Sequence, residues 1–249
     1  TTMPILLEVI ATSPDDCVAA QAGGADRIEL CSAMPLGGLT PSLGLLVETR
    51  SATRLPVMAM IRPRPGGFAY SDSDFRVMLR DADLALTHGA DGIVFGCLLR
   101  DGKVDINRVR AFVQLAGRKE TVFHRAFDVT PDPYAALDAL MELGVTRVLS
   151  SGQKPAALEG AANLAGFRSH VNGRLQVLPG GGITVENVRE VVRLTGVDQV
   201  HASLSGSRRD PSTAINPAIH FGALAMPPED HVRVTDATLV AAMHTVLQG

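Results

Sequence analysis

Tryptophan is absent, tyrosine occurs only twice, and of the 23 basic residues only Lys103, Lys119 and Lys154 are lysines. Schiff-base chemistry needs a lysine amine in the site, and none of the three falls on a strand predicted below, which argues against it. Three cysteines, Cys17, Cys31 and Cys97, are too few and too scattered for a disulfide framework or a CxxC zinc site, and suit a reducing cytosol. No run approaches the roughly 18 apolar residues of a membrane helix, and no charged stretch leads into an apolar segment as in a secretion signal. A net charge of −3 without a basic cluster leaves no electrostatic footprint for nucleic acid or an anionic membrane. With 46% hydrophobic and 20% charged residues, disorder, collagen and coiled coil are excluded. The expectation is a cytoplasmic globular protein that binds neither membrane nor nucleic acid.

What is present is a long-period repeat. Gly24-Ala-Asp-Arg-Ile-Glu-Leu, Gly89-Ala-Asp-Gly-Ile-Val-Phe, Gly144-Val-Thr-Arg-Val-Leu-Ser and Gly196-Val-Asp-Gln-Val-His-Ala share one grammar at intervals of 65, 55 and 52 residues. Each reads as a helix-ending glycine feeding a short buried strand. The interval is about twice a ~30-residue βα unit. A further strand therefore belongs between each pair, and the runs Ile5 to Ile10, Val57 to Ile61, Thr121 to Ala126 and Leu175 to Leu178 supply them. Helical segments are predicted over Pro14–Ala22, Ser42–Thr53, Asp72–Thr87, Ile106–Ala116, Pro133–Leu143, Pro155–Phe167 and Thr184–Leu194, with Asp72 capping the third. A last helix follows near Asp236–Leu247. Eight alternating pairs predict an α/β fold, a (β/α)8 TIM barrel forming a single domain over residues 3–249. A long irregular segment, Leu204 to Arg233, precedes the last helix and suits a lid or a subunit contact.

Strand parity sorts the polar residues. The fourth position after each repeat glycine is Ile28, Ile93, Val148 or Val200, so that face packs on helices and the alternate face points to the barrel axis. Arg27, Arg147 and Gln199 then form a polar bottom layer. Glu29, Cys31, His201 and Ser203 rise toward the C-terminal mouth, where barrel chemistry resides. Closure sets strand eight beside strand one, placing Glu8, Glu29 and His201 together. Arg62 ends the third strand, and His124 and Asp128 end the fifth. Charge buried this way must be paired or used. The set Glu8, Glu29, Arg62, His124, Asp128 and His201 therefore reads as an acid–base or metal centre, the alternative being an ion-pair network of Glu8, Glu29, Arg62 and Arg125 that only neutralises the core. Gly180, Gly181 and Gly182 end strand seven ahead of Thr184, which could cap the next helix. With Ser203 they form a candidate anion cradle, the alternative being a tight turn. Arg62 to Tyr70 is a second glycine-containing loop able to overhang the mouth. Cys31 reaches the mouth, Cys17 reads as core and Cys97 as facing outward. Met58 and Met60 fill the barrel, and His88, His170, His220, His231 and His244 read as surface or loop residues.

The blocks Leu6-Leu-Glu-Val, Gly23-Gly-Ala-Asp-Arg-Ile-Glu-Leu-Cys31-Ser, Met60-Ile-Arg-Pro-Arg64, Phe123-His-Arg-Ala-Phe-Asp128 and Pro179-Gly-Gly-Gly182 closely resemble the CutC copper homeostasis family. The resemblance runs from about Leu6 to Ser203. It implies a cytosolic TIM barrel, often a homo-oligomer, that handles copper. It also implies Cys31 as a metal ligand. In members with a two-thiolate copper(I) site, the second cysteine follows the Glu-Val of strand one, and here that residue is Ile10. Two functions compete. One is copper binding at Cys31, with copper ion as the partner and His201, Glu8 or Glu29 as co-ligands. The other is an isomerase- or lyase-type enzyme acting on a small anionic molecule, a phosphorylated one among the candidates. A scaffold that uses residues 204–233 to contact another subunit is a third reading.

Overall fold

The computed structural model describes residues 4–216, 218–221 and 230–249. Eight strands, β1 (Leu6–Ala11), β2 (Arg27–Leu30), β3 (Val57–Met60), β4 (Gly92–Phe95), β5 (Glu120–Phe123), β6 (Arg147–Ser150), β7 (Gln176–Pro179) and β8 (Gln199–Ala202), form one parallel sheet. Its order is β7-β6-β5-β4-β3-β2-β1-β8, and a parallel bridge between Gly180 and His201 closes the circle. The helices α1 (Pro14–Ala22), α2 (Leu43–Ala52), α3 (Asp72–Thr87), α4 (Ile106–Ala116), α5 (Pro133–Leu143), α6 (Ala161–Val171), α7 (Val188–Thr195) and α8 (Ala237–Gln248) surround it. The barrel expected from the repeat is the observed fold.

The repeat has a physical basis at both ends of its grammar. Its glycines, Gly24, Gly89, Gly144 and Gly196, have φ of +91°, +103°, +77° and +68°, a left-handed turn that a side chain would strain. Its Asp or Thr ties one strand to the next. Asp26 accepts from the Leu7 amide at 2.8 Å and Asp91 from the Val57 amide at 2.9 Å, while Thr146 accepts from the Thr121 amide at 3.2 Å.

Parity holds as well. Ile28, Ile93, Val148 and Val200 join the outer core between sheet and helices, whereas Cys31, Met58, Met60, Val94, Val122, Leu149 and Leu178 form a separate cluster inside the barrel. Below that cluster Arg147 is 1% exposed, paired with Glu120 at 2.9 Å and bonded to Gln176 at 2.9 Å. Arg27 reaches Gln199 at 2.9 Å in the same layer.

Several boundaries differ from the sequence reading: β5 ends at Phe123 rather than Ala126, and a 3-10 turn over Arg125–Val129 follows it. Ser71 rather than Asp72 caps α3, in a capping box with Asp74. Helix α6 begins at Ala161, not Pro155. The preceding loop is drawn over the strand ends by the Gln153 amide bonding to Asp128 at 3.1 Å and the Ala157 amide bonding to the Gly181 carbonyl at 2.9 Å. Helix α7 begins at Val188, not Thr184. Asn187 instead closes a turn by accepting from the Thr184 amide at 2.9 Å, so Thr184 is no helix cap. Finally, the segment 204–233 is ordered at both ends. Strands β9 (Ser205–Arg209) and β10 (His231–Thr235) pair antiparallel, from Ser205 opposite Thr235 to Arg209 opposite His231. Residues 217 and 222–229 of that segment lie outside the described residues.

Candidate functional site at the barrel mouth

A cavity of about 530 Å³ opens at the C-terminal ends of the strands. Its wall includes Glu29, Cys31, Arg62, His124, His201, Ser203, Gly181 and Gly182 from the sequence-derived set. Glu8, Asp128 and Gly180 stand behind that wall. Ile10, Met34, Phe68, Arg125 and Arg233 also line it; the sequence places Arg125 there only as a member of an ion-pair network, and Met34, Phe68 and Arg233 were not selected for the site.

The β8, β1 and β2 side carries a chain of charges. The Arg27 guanidinium bonds to Oε2 of Glu8. Oε1 of Glu8 lies 2.7 Å from His201 Nδ1, and His201 Nε2 lies 3.8 Å from Oε2 of Glu29. Burial works against the ionised Glu8 carboxylate, yet Arg27 and His201 overcome it and hold its pKa near 2. Burial, reinforced by the charge of Glu8, pushes Glu29 up to about 7, and its Oε1 is buried with no hydrogen-bond partner. Burial opposes charge on His201 too, but the two carboxylates raise its pKa. Glu8, Glu29 and His201 offer donor atoms all within 4.8 Å of one another, a spacing open to a metal ion. Both Glu8 oxygens and His201 Nδ1 are already engaged, however, so the groups free to face the cavity are Glu29 and His201 Nε2.

The sulfur side is formed by β2 and the turn after it. Cys31 is fully buried and its Sγ lies 3.2 Å from Met34 Sδ. Burial, then the neighbouring Glu29, raises the Cys31 pKa well above that of a free thiol. Ile10 pairs with Glu29 in the β1–β2 register and packs against the cluster holding Cys31. The signal for Met34 was the Cys-x-x-Met spacing of Cys31-Ser-Ala-Met34. Cys17 and Cys97 sit in the outer core, away from the cavity.

The opposite side is cationic. Arg62 is 7% exposed and donates to the carbonyls of Leu36, Gly38 and Gly66 at 3.0, 3.1 and 3.1 Å. His124 Nδ1 accepts from the Ala126 amide at 3.1 Å, which leaves the proton on Nε2. Burial, then the charge of Arg62, pushes the His124 pKa down to about 3, so the ring is neutral. A Cβ at Gly96 would fall 2.4 Å from this ring, which explains the glycine there. Asp128 does not face the cavity. It accepts from Arg125 at 2.8 Å, from Ser150 at 2.6 Å and from the Ser151 amide at 3.0 Å, and so positions Arg125 and the loop after β6. The Gly180 amide bonds to the Ser150 carbonyl at 3.0 Å and is not part of an open cradle. The amides of Gly181 and Gly182 donate to no protein acceptor among the described residues. Arg233 arrives on β10, where its Nε bonds to Ser205 at 2.7 Å. Its signal lay in a segment whose pairing the sequence pattern did not reveal.

His88 and His220 are exposed, while His170 and His231 pair with Asp138 and Asp230. His244 departs from the surface expectation: its ring packs on Gly24 and its Nδ1 is buried.

Fold and site together define a (β/α)8 barrel whose mouth combines a thiol, a thioether, a buried carboxyl–imidazole pair and a buried arginine. Residues 5–206 match the family model described as CutC family. A CutC family protein of Treponema denticola is 50% identical over 230 residues, covering 92% of this chain and 94% of the relative. The human copper homeostasis protein cutC homolog is 40% identical over 244 residues, covering 98% and 89%. A crystal structure of a CutC copper homeostasis protein from Streptococcus agalactiae superposes with a TM-score of 0.76 at 32% identity, covering 79% of this chain and 97% of that one. The chain belongs to the CutC copper homeostasis family. No helix among the described residues is long and apolar enough to cross a membrane.

Proposed function

We propose that this protein handles copper(I) as cargo at the barrel mouth, with Cys31 Sγ and Met34 Sδ as its soft ligands. The observation that carries the reading is the 3.2 Å approach of these two sulfurs on the wall of the cavity. Thiolate and thioether donors select copper(I) over hard ions. The ion takes the place of the thiol proton, and Met60 adds a second thioether to the same wall. Titration of the purified chain with copper(I) against a competing chelator tests this. Cys31→Ala should abolish binding, and an unchanged affinity refutes the site. All three cysteines are free, which supports a cytoplasmic location. Ile215, 95% exposed in the connection between β9 and β10, supports a homo-oligomer contact through the 204–233 segment, and size-exclusion chromatography of a deletion there tests it.

A second reading is favoured by the Glu29 carboxyl, whose pKa near 7 beside the His201 imidazole suits proton transfer. Here the mouth performs acid–base chemistry of the isomerase or lyase type. Glu29 and His201 exchange protons, Glu8 orients His201, and Asp128 positions Arg125. Glu29→Gln should raise thermal stability, because groups kept against stability serve function. A loss of stability would make the cluster an ion-pair network.

A further inference from the structure

Arginine cannot shed its charge by deprotonation in a protein, so a buried guanidinium carries a desolvation cost that neutral acceptors offset only in part and an anion offsets best. Arg62 is 93% removed from solvent, yet no carboxylate lies within 4 Å of it among the described residues. Its three hydrogen bonds go to neutral backbone carbonyls, and its Nε has no partner. The His124 Nε2–H beside the same cavity is likewise buried without an acceptor. Arg62, whose guanidinium also lies 5.5 Å over the Phe68 ring, and His124 thus both line the cavity, and neither meets an anion among the described residues.

The far wall adds a second guanidinium of a different kind: Arg125 is exposed and already held by Asp128 at 2.8 Å and Ser151 at 2.7 Å. Gly181 has φ +101°, a backbone conformation that favours glycine, and a Cβ there would lie 3.1 Å from Arg125 Nη1, so glycine eases the approach of backbone and guanidinium. The Gly181 and Gly182 amides have no protein acceptor among the described residues, and Ser203 closes the rim. Helix α7 starts too far along the chain, at Val188, to contribute its N-terminus. The grip comes from side chains and turn amides.

From these observations we propose that the barrel mouth is a binding site for a small organic oxyanion, a carboxylate or phosphate group held by Arg62 and His124 with Arg125 and the Gly181–Gly182 amides on the facing wall. A volume of about 530 Å³ lies within the roughly 300–1,000 Å³ of small-molecule sites. The inference stands apart from copper handling and deepens the acid–base reading by naming its substrate class. Binding is measured without turnover, so failure of one leaves the other standing or falling by its own readout.

Calorimetric titration of the full chain with inorganic phosphate and, separately, with acetate, each against chloride at matched ionic strength, tests the site. The expected result is saturable one-site binding. Arg62→Lys and Arg125→Gln should each weaken it at least about tenfold, and Arg100→Gln, at an exposed position that does not line the cavity, should leave it unchanged. Phosphate binding more tightly than acetate assigns a phosphate-bearing ligand, and the reverse order a carboxylate. Heats from both that match chloride overturn the proposal, as does an Arg62→Lys protein that binds as tightly as the parent. Should Arg62→Lys fail to fold, amide spectra of the parent chain decide: phosphate or acetate must shift the Gly181 and Gly182 resonances more than chloride does, and equal shifts overturn the site.

Discussion

Cys31 Sγ and Met34 Sδ lie 3.2 Å apart, within reach for the thiol to donate to the thioether. The buried thiol holds its proton well above the pH range of a free cysteine, so copper(I) must displace that proton to bind. Apparent copper(I) affinity should therefore rise about tenfold for each unit of pH between 6 and 8. Competition titrations at three pH values check the slope. A pH-independent affinity would mean that Cys31 is not a ligand.

Ile10 stands where a second thiolate would face Cys31 across the β1–β2 mouth. Ile10→Cys should strengthen copper(I) binding by at least about tenfold, because paired thiolates suit this ion best. The lost methylenes should lower stability by roughly 1–2 kcal/mol. Parallel copper titration and thermal unfolding of the variant measure both effects.

Glu29 provides the pH prediction. Its pKa near 7 in the fold exceeds the ordinary carboxyl value of 4.5. The stability its protonated form contributes is thus complete below pH 4.5 and is lost as pH rises toward 7. Glu29→Gln cannot ionise. The variant should melt close to the parent at pH 4.5 and above it at pH 8, by about 2–4 °C per kcal/mol recovered. Melting curves from pH 4.5 to 8 test the widening gap.

Asp16 ties the β9–β10 hairpin to the barrel. Its Oδ1 accepts from the Thr235 amide at 2.7 Å while Oδ2 accepts from the Thr12 amide at 2.9 Å. Asp16→Ala leaves both donors unsatisfied and should cost about 2–4 kcal/mol. Hydrogen exchange should accelerate at residues 231–235 more than in β1 or β2. Uniform acceleration would show that the hairpin does not open independently.

His124 is buried neutral, with its pKa lowered to about 3 from 6.5. The unfolded chain takes up this proton at higher pH than the fold does. The contribution of His124 to stability is therefore full above pH 6.5 and falls between 6.5 and 3. His124→Asn should flatten the acid limb of the stability curve, which denaturant titrations at pH 4 and 7 would reveal.

The chain itself determined the barrel, because the Gly-x-Asp/Thr grammar encodes two local needs: a left-handed turn at all four repeat glycines and, in the first three repeats, a side-chain acceptor for the neighbouring strand's amide. Period-two alternation likewise determined which residues enter the barrel, and so the places of Glu29, Cys31 and His201. Only the tertiary structure decided which of them face ligand. Glu8 is enclosed between Arg27 and His201, Asp128 is turned back to hold Arg125 and the loop after β6, and the Gly180 amide is taken by Ser150. Met34, Arg125 and Arg233 reach the cavity through a short turn, a strand end and a hairpin. Those positions follow from loop conformations that no periodic pattern encodes. The unpaired charge of Arg62 was equally invisible in the sequence, since whether a buried cation has a partner depends on what the fold places beside it and not on what precedes or follows it along the chain.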